Sequence, residues 1–391
     1  MEKDLSKLRA FLEAEGYDGY LLDADGSNSN QYYLSGFDAP DPFLTLYTPT
    51  ETAILTSPLE YARATEASRA DVVKRWGDYD YRALRKEHGK GPARGIVVAE
   101  FLEEFGVESV ATDRRFPLFT ADAIRENGGQ VSADLDDVIA EIRARKTEAE
   151  LEHIRAAQRA NEAAMAAAEA LLEDADVDSD GTLIHDGEPL TSERIKATIE
   201  RTLLDRGFAM DQTIVASGSD SAVPHERGSG PIAAGEPVIV DIFPQSKTTK
   251  YHADMTRTFL RGEPDPTIRE FYDLTEEAKA AALDAVEPGV TGEAVHGAVC
   301  DVYEAAGYPT TRSEESPESG FIHSTGHGVG LDVHEHPSIG AGGKELKPGH
   351  VITIEPGLYD PAVGGVRIED LVLVTEDGYE NFTDYPEQLV L

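Results

Sequence analysis

The spacing of apolar residues predicts short alternating helices and strands in the first third of the chain. Apolar residues recur at helical spacing from Leu5 to Leu12, and Gly16 follows at the position where that helix would end. Short apolar runs predict strands at 19–22, 43–47, 53–56 and 71–73, and longer periodic stretches predict helices at 59–70, 97–105 and 118–127. This alternation is typical of an α/β domain.

A capping-box sequence marks the start of a second part. Thr147 and Glu150 have the N-cap and N3 spacing of such a box, and an Ala- and Glu-rich helix is predicted from there to about Leu172. Since 391 residues are too many for one ordinary core, we place a domain boundary just before this helix, which gives domains 1–143 and 144–391. A single domain containing the helix is the alternative. Further helices are predicted at 191–206, 267–285 and 292–305.

Residues 174–190 contain alternating aspartates that superficially resemble a calcium-binding loop. Counted from Asp176, Gly181 occupies the required sixth position, but Gly187 occupies the last position. A calcium loop of this type needs a bidentate glutamate at that last position. We therefore predict a solvated acidic loop that is inserted into the second domain.

The charge of the chain is strongly acidic, with 35 Lys and Arg against 74 Asp and Glu and a formal net charge of −39. This excess argues against nucleic-acid or anionic-membrane partners, because both bind basic surfaces. Self-repulsion on this scale is relieved at high salt, where the screening length falls to about 3 Å at 1 M. We predict a protein of a salt-rich cytoplasm. The single cysteine, Cys300, excludes an internal disulfide framework, and no apolar run has the length of a membrane span or a signal core.

Carboxylates follow several of the apolar strands in the second part. One apolar run ends at Asp241, and the chain returns through a second strand that carries Asp254, so that a hairpin could set the two acids side by side. Another apolar run ends at Glu355, just before a proline. Arg367 and Glu369 follow two residues apart, a spacing that points both to one face of a strand. A surface ion pair is the alternative for these last two residues.

A glycine-rich run at 321–337 carries three histidines, His323, His327 and His334. A glycine costs about 1 kcal/mol in a helix interior, so the run is not helical. Glycines let a backbone approach an ion, a substrate or another strand closely. We interpret the run as the lining of a metal-bearing pocket, with a glycine-rich turn and incidental histidines as the alternative.

Taken together, the two aspartates, two glutamates and one histidine predict a metal site. Four carboxylates in one pocket carry about four negative charges, which two divalent cations would neutralise. Oxygen and nitrogen ligands suit Mn²⁺, Co²⁺, Fe²⁺ or Zn²⁺, and the lack of thiolates disfavours a structural zinc site. Two such cations can activate water and polarise a carbonyl, which is the chemistry of metal-assisted hydrolysis.

The order of these residues resembles that of the pita-bread metallopeptidases, which include methionine aminopeptidase, aminopeptidase P and prolidase. The motifs that carry the resemblance are Asp254-Met-Thr-Arg-Thr, His327-Gly-Val-Gly-Leu-Asp-Val-His334, Glu355-Pro-Gly-Leu-Tyr and Arg367-Ile-Glu369-Asp. The first 140 residues resemble the creatinase/prolidase-type N-terminal domain more loosely. The implied fold is α/β (α+β), with that domain at 1–143 and a pita-bread catalytic domain at 144–391.

The resemblance also implies roles for individual residues. The ligands of the dinuclear centre would be Asp241, Asp254, His327, Glu355 and Glu369. Glu355 would in addition carry a proton from the attacking water to the leaving amine. His225 and His334 would contact the substrate, His323 would be a further active-site histidine, and Arg367 would orient the acidic ligands.

The implied activity is that of an exopeptidase that cleaves the bond between an N-terminal residue and a following proline, as an Xaa-Pro aminopeptidase or dipeptidase. The expected cofactors are two divalent ions, Mn²⁺ or Co²⁺ before Zn²⁺ or Fe²⁺, and the expected assembly is a homodimer. A creatinase-like C–N hydrolase and a non-catalytic binding module are the alternatives on this fold, and both would have lost metal ligands.

Two departures from the family pattern bear on this expectation. Asp254 lies 13 positions after Asp241, which implies a longer hairpin than is usual in the family. Ser338 stands where many prolidases carry an arginine that is associated with the carboxylate of a dipeptide. The native metal and the preference between dipeptides and longer peptides are left open by the sequence.

Overall fold

A computed structural model describes residues 3–391. The chain divides into two compact units, Met1–Arg143 and Ala144–Leu391. Within the described residues, no helix is both long enough and apolar enough to span a membrane.

The first unit is built on a six-stranded mixed sheet. Its strands are β1 (Gly19–Ala24), β2 (Phe43–Tyr47), β3 (Thr52–Thr56), β4 (Val72–Arg75), β5 (Ser109–Thr112) and β6 (Gln130–Ala133). They lie in the order β4-β3-β2-β1-β5-β6. The pairs β1–β2 and β2–β3 are antiparallel, whereas β3–β4, β1–β5 and β5–β6 are parallel. Parallel pairs need crossover connections, and helices provide them here.

The helices of the first unit are α1 (Ser6–Glu15), α2 (Ser29–Ser35), α3 (Tyr61–Ala67), α4 (Tyr81–His88), α5 (Lys90–Glu104), α6 (Leu118–Glu126) and α7 (Val138–Ala144). The predicted end of α1 is confirmed, since Gly16 adopts a left-handed conformation with φ 75°. Helix α4 was not predicted from the sequence. Only Tyr81 and Leu84 of its side chains are half-buried against the core, and two apolar residues are too short a pattern to indicate a helix.

The second unit contains the long helix α8 (Glu148–Glu173) and the helices α9 (Ser192–Asp205), α10 (Pro266–Asp284) and α11 (Gly292–Ala305). The predicted capping box of α8 is confirmed. The main-chain N–H of Thr147 donates to Oε2 of Glu150 at 2.8 Å, and the Thr147 side chain caps the N3 position in return.

The strands of the second unit are short and mostly antiparallel. In chain order they are β7 (Asp176–Val177), β8 (Leu183–His185), β9 (Glu188–Pro189), β10 (Phe208–Ala209), β11 (Ile214–Ser217), β12 (Val238–Ile242), β13 (Gln245–Ser246), β14 (Met255–Phe259), β15 (Gly326–Gly328), β16 (Glu335–Ile339), β17 (Val351–Ile354), β18 (Gly357–Asp360), β19 (Gly364–Arg367), β20 (Asp370–Val374) and β21 (Tyr379–Asn381). The five-stranded sheet has the order β16-β15-β17-β20-β21, and one of the three-stranded sheets has the order β11-β12-β14.

The acidic insertion is more ordered than the sequence predicts. Its aspartates are exposed, as expected, but β7, β8 and β9 form a small three-stranded sheet rather than a plain loop. Leu183 and Leu190 are fully buried and belong to the same core cluster as α8 and α9. Two leucines therefore anchor the segment, and burial of their apolar surface outweighs the polar character of the rest.

Candidate metal centre

The predicted hairpin carries the first two acids on one face of β12 and β14. In the register of this antiparallel pair, Asp241 lies opposite Thr256, and Ile242 lies opposite Met255. Asp254 stands immediately before β14 and is two residues from Thr256, so it shares the face of Asp241. The two acids are thus diagonal neighbours on one face of the hairpin rather than directly opposed residues.

His327 lies at the centre of β15, between β16 and β17. The flanking glycines leave room for these neighbours: a Cβ atom on Gly326 would lie 2.0 Å from the carbonyl oxygen of Thr353, and one on Gly328 would lie 2.1 Å from that of His336. The close approach that the glycines permit is therefore between strands. It places the imidazole of His327 beside the carboxylates of Glu355 and Asp254.

Glu355 and Glu369 approach the same acidic cluster from the end of β17 and from the break between β19 and β20. Glu355 directly follows β17, and its main-chain N–H donates to the carbonyl of Thr325 at 2.8 Å. Glu369 lies in the break between β19 and β20, where its Oε2 accepts a 2.7 Å hydrogen bond from the hydroxyl of Thr256.

The side chains converge closely enough to hold a cation. One ligand atom each from Asp254, His327 and Glu369 lie within 4.8 Å of one another. Nε2 of His327 is 3.8 Å from Oδ2 of Asp254 and 3.4 Å from Oε1 of Glu355. Among residues 3–391, Oδ1 of Asp241 is buried without a hydrogen-bond partner. An acceptor-only oxygen in that position, beside other carboxylates, fits a metal ligand.

Burial and mutual repulsion oppose ionisation of these acids. Burial, followed by the charges of Glu369, Asp241 and Glu355, raises the pKa of Asp254 well above its usual range. Burial and the neighbouring acids also raise the pKa of Glu369. Burial raises the pKa of Glu355 to about 7, although the charge of Arg367 acts in the opposite direction. A divalent cation among these oxygens would relieve this repulsion.

Arg367 is buried within the acidic cluster and contacts several of its members. Its Nη2 donates to Oδ2 of Asp241 at 2.6 Å, its Nη1 to the hydroxyl of Tyr359 at 3.1 Å, and its Nε to the hydroxyl of Thr256 at 3.2 Å. Thr256 donates in turn to Glu369, so Arg367 orients one acid directly and another through a hydroxyl. The alternative of a surface ion pair is wrong, because Arg367 and Glu369 are both buried.

The remaining histidines lie around this cluster. The rings of His334 and His327 stack edge to face with centroids 4.2 Å apart. Nε2 of His323 is 2.9 Å from the hydroxyl of Tyr359, and burial together with the charge of Arg367 lowers the pKa of His323 to about 3. Burial is also the main cause of the lowered pKa of His334, and His225 lies near enough to contribute. Both rings are therefore neutral at pH 7.

Reasoning from the sequence assigned no role to Thr256 or Tyr359. The signal for Thr256 was present, since it lies two residues after Asp254 on a predicted strand and so shares its face. Tyr359 offered no comparable signal. Its contact with Arg367 joins two different strands, β18 and β19, whose pairing was not predicted.

Comparison with known proteins assigns the chain to a family. Residues 152–376 match metallopeptidase family M24, and residues 5–145 match the creatinase/prolidase N-terminal domain. The chain belongs to metallopeptidase family M24. Membership of M24 confirms the resemblance that the motifs indicated, the fold class and the assignment of the protein as a hydrolase.

Relatives in the M24 family match along the whole chain. The Xaa-Pro dipeptidase of Pyrococcus furiosus is 32% identical over 397 residues, which cover 100% of both chains. The solved structure of the Xaa-Pro dipeptidase from Bacillus anthracis is 25% identical, with a TM-score of 0.83 and 99% coverage of each chain. The X-Pro aminopeptidase from Thermotoga maritima is also 25% identical, with a TM-score of 0.76 and coverage of 96% of this chain and 98% of that one.

Proposed function

We propose that this M24 protein is a dinuclear-metal exopeptidase that hydrolyses the bond between an N-terminal residue and a following proline. The observation that carries the proposal is the convergence of Asp254, His327 and Glu369, with Asp241 and Glu355 beside them. Relatives that match along the whole chain are named Xaa-Pro dipeptidases. The creatinase-like and non-catalytic alternatives are disfavoured, because both would have lost ligands that are present here.

The five proposed ligands are Asp241, Asp254, His327, Glu355 and Glu369. Their oxygen and nitrogen donors suit Mn²⁺ or Co²⁺ first, and Zn²⁺ or Fe²⁺ second. When bound, two such ions lower the pKa of water and polarise a carbonyl.

The protein's own residues would orient the substrate and move the proton. Glu355, at the end of β17, would hold the proton on a carboxylate oxygen until the leaving amine accepts it. His323, His225 and His334 would hydrogen-bond the scissile carbonyl, and the lowered pKa values of His323 and His334 would keep these two imidazoles neutral at pH 7. Arg367 would keep Asp241 in place from behind.

The preference between dipeptides and longer peptides is proposed to depend on Ser338. This residue lies opposite His327 in the β15–β16 pair, so the two share a face of the sheet, and its side chain is exposed and uncharged. A dipeptide presents its carboxylate one residue beyond the scissile bond, and Ser338 offers that carboxylate no ion pair. We therefore expect tripeptides such as Ala-Pro-Ala to be cleaved at least as efficiently as Ala-Pro.

The direct test is hydrolysis by the purified protein in concentrated KCl with Mn²⁺ or Co²⁺. Ala-Pro and Ala-Pro-Ala are the substrates, Ala-Ala is the control peptide, and bound metal is measured on the same sample. We expect about two ions per chain, cleavage of the proline peptides, and loss of activity with EDTA. Replacement of His327 by Ala should remove metal and activity together. Activity that survives chelation, or no cleavage of any Xaa-Pro peptide, would contradict the proposal.

The remaining properties are proposed from the charge and the family resemblance. We propose that residues 1–143 and 144–391 act as separate domains, and that the protein functions as a homodimer in a salt-rich cytoplasm. The net charge of −39 supports the salt-rich setting and argues against nucleic-acid and membrane partners. Light scattering in concentrated KCl tests the dimer.

A further inference from the structure

Arg257 is a fully buried arginine directly behind the candidate metal centre. It follows Thr256 on β14, and its side chain is 1% exposed. Because successive residues of a strand face opposite sides, Thr256 faces Glu369 and the acidic cluster while Arg257 faces away from them. An arginine is rarely buried so completely unless its hydrogen-bonding groups are satisfied.

All five N–H groups of the Arg257 guanidinium have an acceptor. Nη1 donates to the main-chain carbonyls of Glu369 at 2.7 Å and of Thr256 at 3.0 Å. Nη2 donates to Oδ1 of Asp370 and to the carbonyl of Tyr385, both at 2.9 Å. Nε donates to the carbonyl of Pro386 at 3.0 Å.

These contacts hold the break between β19 and β20, where Glu369 lies outside both strands. The main-chain N–H of Glu369 donates to the carbonyl of Thr256 at 3.0 Å, and Arg257 holds the carbonyl of Glu369 from the other side. Both main-chain groups of Glu369 are thus fixed by β14. With its main chain fixed in this way, and its carboxylate bonded to the Thr256 hydroxyl, the Glu369 side chain is directed towards Asp254.

We propose that Arg257 is a positioning residue for the metal centre: its planar fork fixes the main chain of Glu369, so that the Glu369 carboxylate meets Asp254 and His327. The inference rests on the proposed role of Glu369 as a metal ligand. Arg257 itself touches neither substrate nor metal. It acts through the backbone, and a point charge on a flexible stem cannot replace its five directed bonds.

Lys279 provides a matched control, since it is a second buried cation in the same ion cluster. From α10 it donates to Oδ2 of Asp370 at 2.6 Å and to the carboxylate of Glu387. Lys279 and Arg257 thus both bond to Asp370. Of these two cations, Arg257 is the one that donates to the carbonyl of Glu369. Replacement of Lys279 therefore perturbs the same buried cluster without releasing the Glu369 carbonyl.

A lysine at position 257 separates positioning from electrostatics. If Arg257 acted only as a charge, Arg257→Lys would bind a divalent cation as tightly as the unmodified protein, because lysine keeps the positive charge. The positioning role predicts weaker binding, because the Glu369 carboxylate would no longer be held in place. Partners that orient metal ligands typically contribute about 10- to 100-fold to metal affinity.

The experiment compares Arg257→Lys and Lys279→Met with the unmodified protein by calorimetric titration with Mn²⁺ in concentrated KCl. Circular dichroism verifies that each variant is folded. We expect Arg257→Lys, which keeps the charge, to bind Mn²⁺ about 10-fold or more weakly. Lys279→Met should have a lower thermal midpoint but should bind Mn²⁺ at least as tightly as the unmodified protein does, because it removes a positive charge and leaves Glu369 held by Arg257.

Each outcome has a distinct meaning. If the unmodified protein binds no Mn²⁺, the proposed metal function itself is wrong. If it binds Mn²⁺ and Arg257→Lys binds equally well, or if Lys279→Met weakens binding as much, the positioning role of Arg257 is wrong. Should Arg257→Lys not fold, the double variant Arg257→Gln with Asp370→Asn removes both charges together and leaves Lys279 its partner Glu387. The same weakening is expected of that variant.

Discussion

Arg367 changes the charge balance that the sequence suggested for the metal centre. Four carboxylates alone predict about four negative charges, but the guanidinium of Arg367 is buried among them and bonds directly to Asp241. Burial alone would lower the pKa of Arg367, but Tyr359 and the surrounding acids raise it, so its positive charge is secure. The centre therefore has one internal cation, and the raised pKa values of Asp254 and Glu369 show that repulsion remains for added metal to relieve.

A second buried ion pair fixes the loop that carries His334. Nζ of Lys146 donates to Oε2 of Glu335 at 3.1 Å, and the two side chains are 1% and 4% exposed. Oε1 of Glu335 accepts the main-chain N–H of Asp332 at 3.0 Å. The Glu335 carboxylate thus links the start of the second unit to the turn before His334.

Replacement of Lys146 by Met should therefore destabilise the protein strongly. The Glu335 carboxylate would lose the buried cation with which it forms an ion pair, and loss of one partner of a buried pair typically costs about 3–5 kcal/mol. Urea denaturation at constant KCl measures the loss. The double variant Lys146→Met with Glu335→Gln should recover most of it, because both charges of the buried pair are then removed together.

The surface pair of Arg125 and Asp122, whose side chains are 52% and 56% exposed, supplies the control. Arg125→Met should cost less than about 1 kcal/mol. Equal losses for Lys146→Met and Arg125→Met would show that burial of the Lys146–Glu335 pair does not matter.

Strand β15 shows how an element, rather than a residue, delivers a ligand. It is three residues long, yet it lies between β16 and β17 and brings His327 to Glu355, which follows β17, and to Asp254, which precedes β14. Its glycines allow main-chain carbonyls of adjacent strands to lie where side chains would otherwise stand. Strand β15 can therefore pack between its neighbours only because Gly326 and Gly328 have no side chains.

A methyl group at Gly328 should disrupt this strand. The Cβ atom of an alanine would lie 2.1 Å from the carbonyl oxygen of His336, and the backbone there cannot yield as a side chain could. We expect Gly328→Ala to destabilise the protein by about 3 kcal/mol, the upper end of the usual range for overpacking, and to weaken Mn²⁺ binding through displacement of His327. Thermal unfolding and metal titration measure the two effects.

Gly297 offers the matched substitution in helix α11. A Cβ atom there would meet its nearest neighbour, a nitrogen of Arg312, at an ordinary 3.7 Å. Gly297→Ala should be neutral or stabilising by up to about 1 kcal/mol, because alanine favours a helix interior. If Gly328→Ala behaved in the same way, the close packing of β15 would not be essential.

The charge of the whole molecule predicts how its stability responds to salt. A formal net charge of −39 on 391 residues opposes compaction, and the screening length falls from about 10 Å at 0.1 M to about 3 Å at 1 M salt. We expect the thermal midpoint to rise steeply with KCl over this range, as measured by circular dichroism.

Charge reversal at an exposed acidic segment tests the cause of this dependence. Glu314, Glu315 and Glu318 are exposed, and their replacement by lysine reduces the magnitude of the net charge by six units. The triple variant should depend less on KCl than the unmodified protein. An unchanged salt dependence would assign the effect to something other than net repulsion.

The amino-acid sequence by itself determined the elements and the chemistry they carry. Periodicity and caps are local. The capping box at Thr147, the end of α1 at Gly16, the strand that carries Asp241 and the strand that precedes Glu355 could therefore be predicted from neighbouring residues. The order of the acids and the histidine was sufficient to indicate the metallopeptidase family that the comparisons confirm.

Only the tertiary structure decided how those elements meet. The register that places Thr256 opposite Asp241 depends on a loop whose length does not specify it. The contacts of Thr256 and Arg257 with Glu369 join residues 113 and 112 positions apart, and that of Arg367 with Asp241 spans 126. Such long-range pairs produce no pattern among neighbouring residues of the sequence, because they form only when the whole unit packs together.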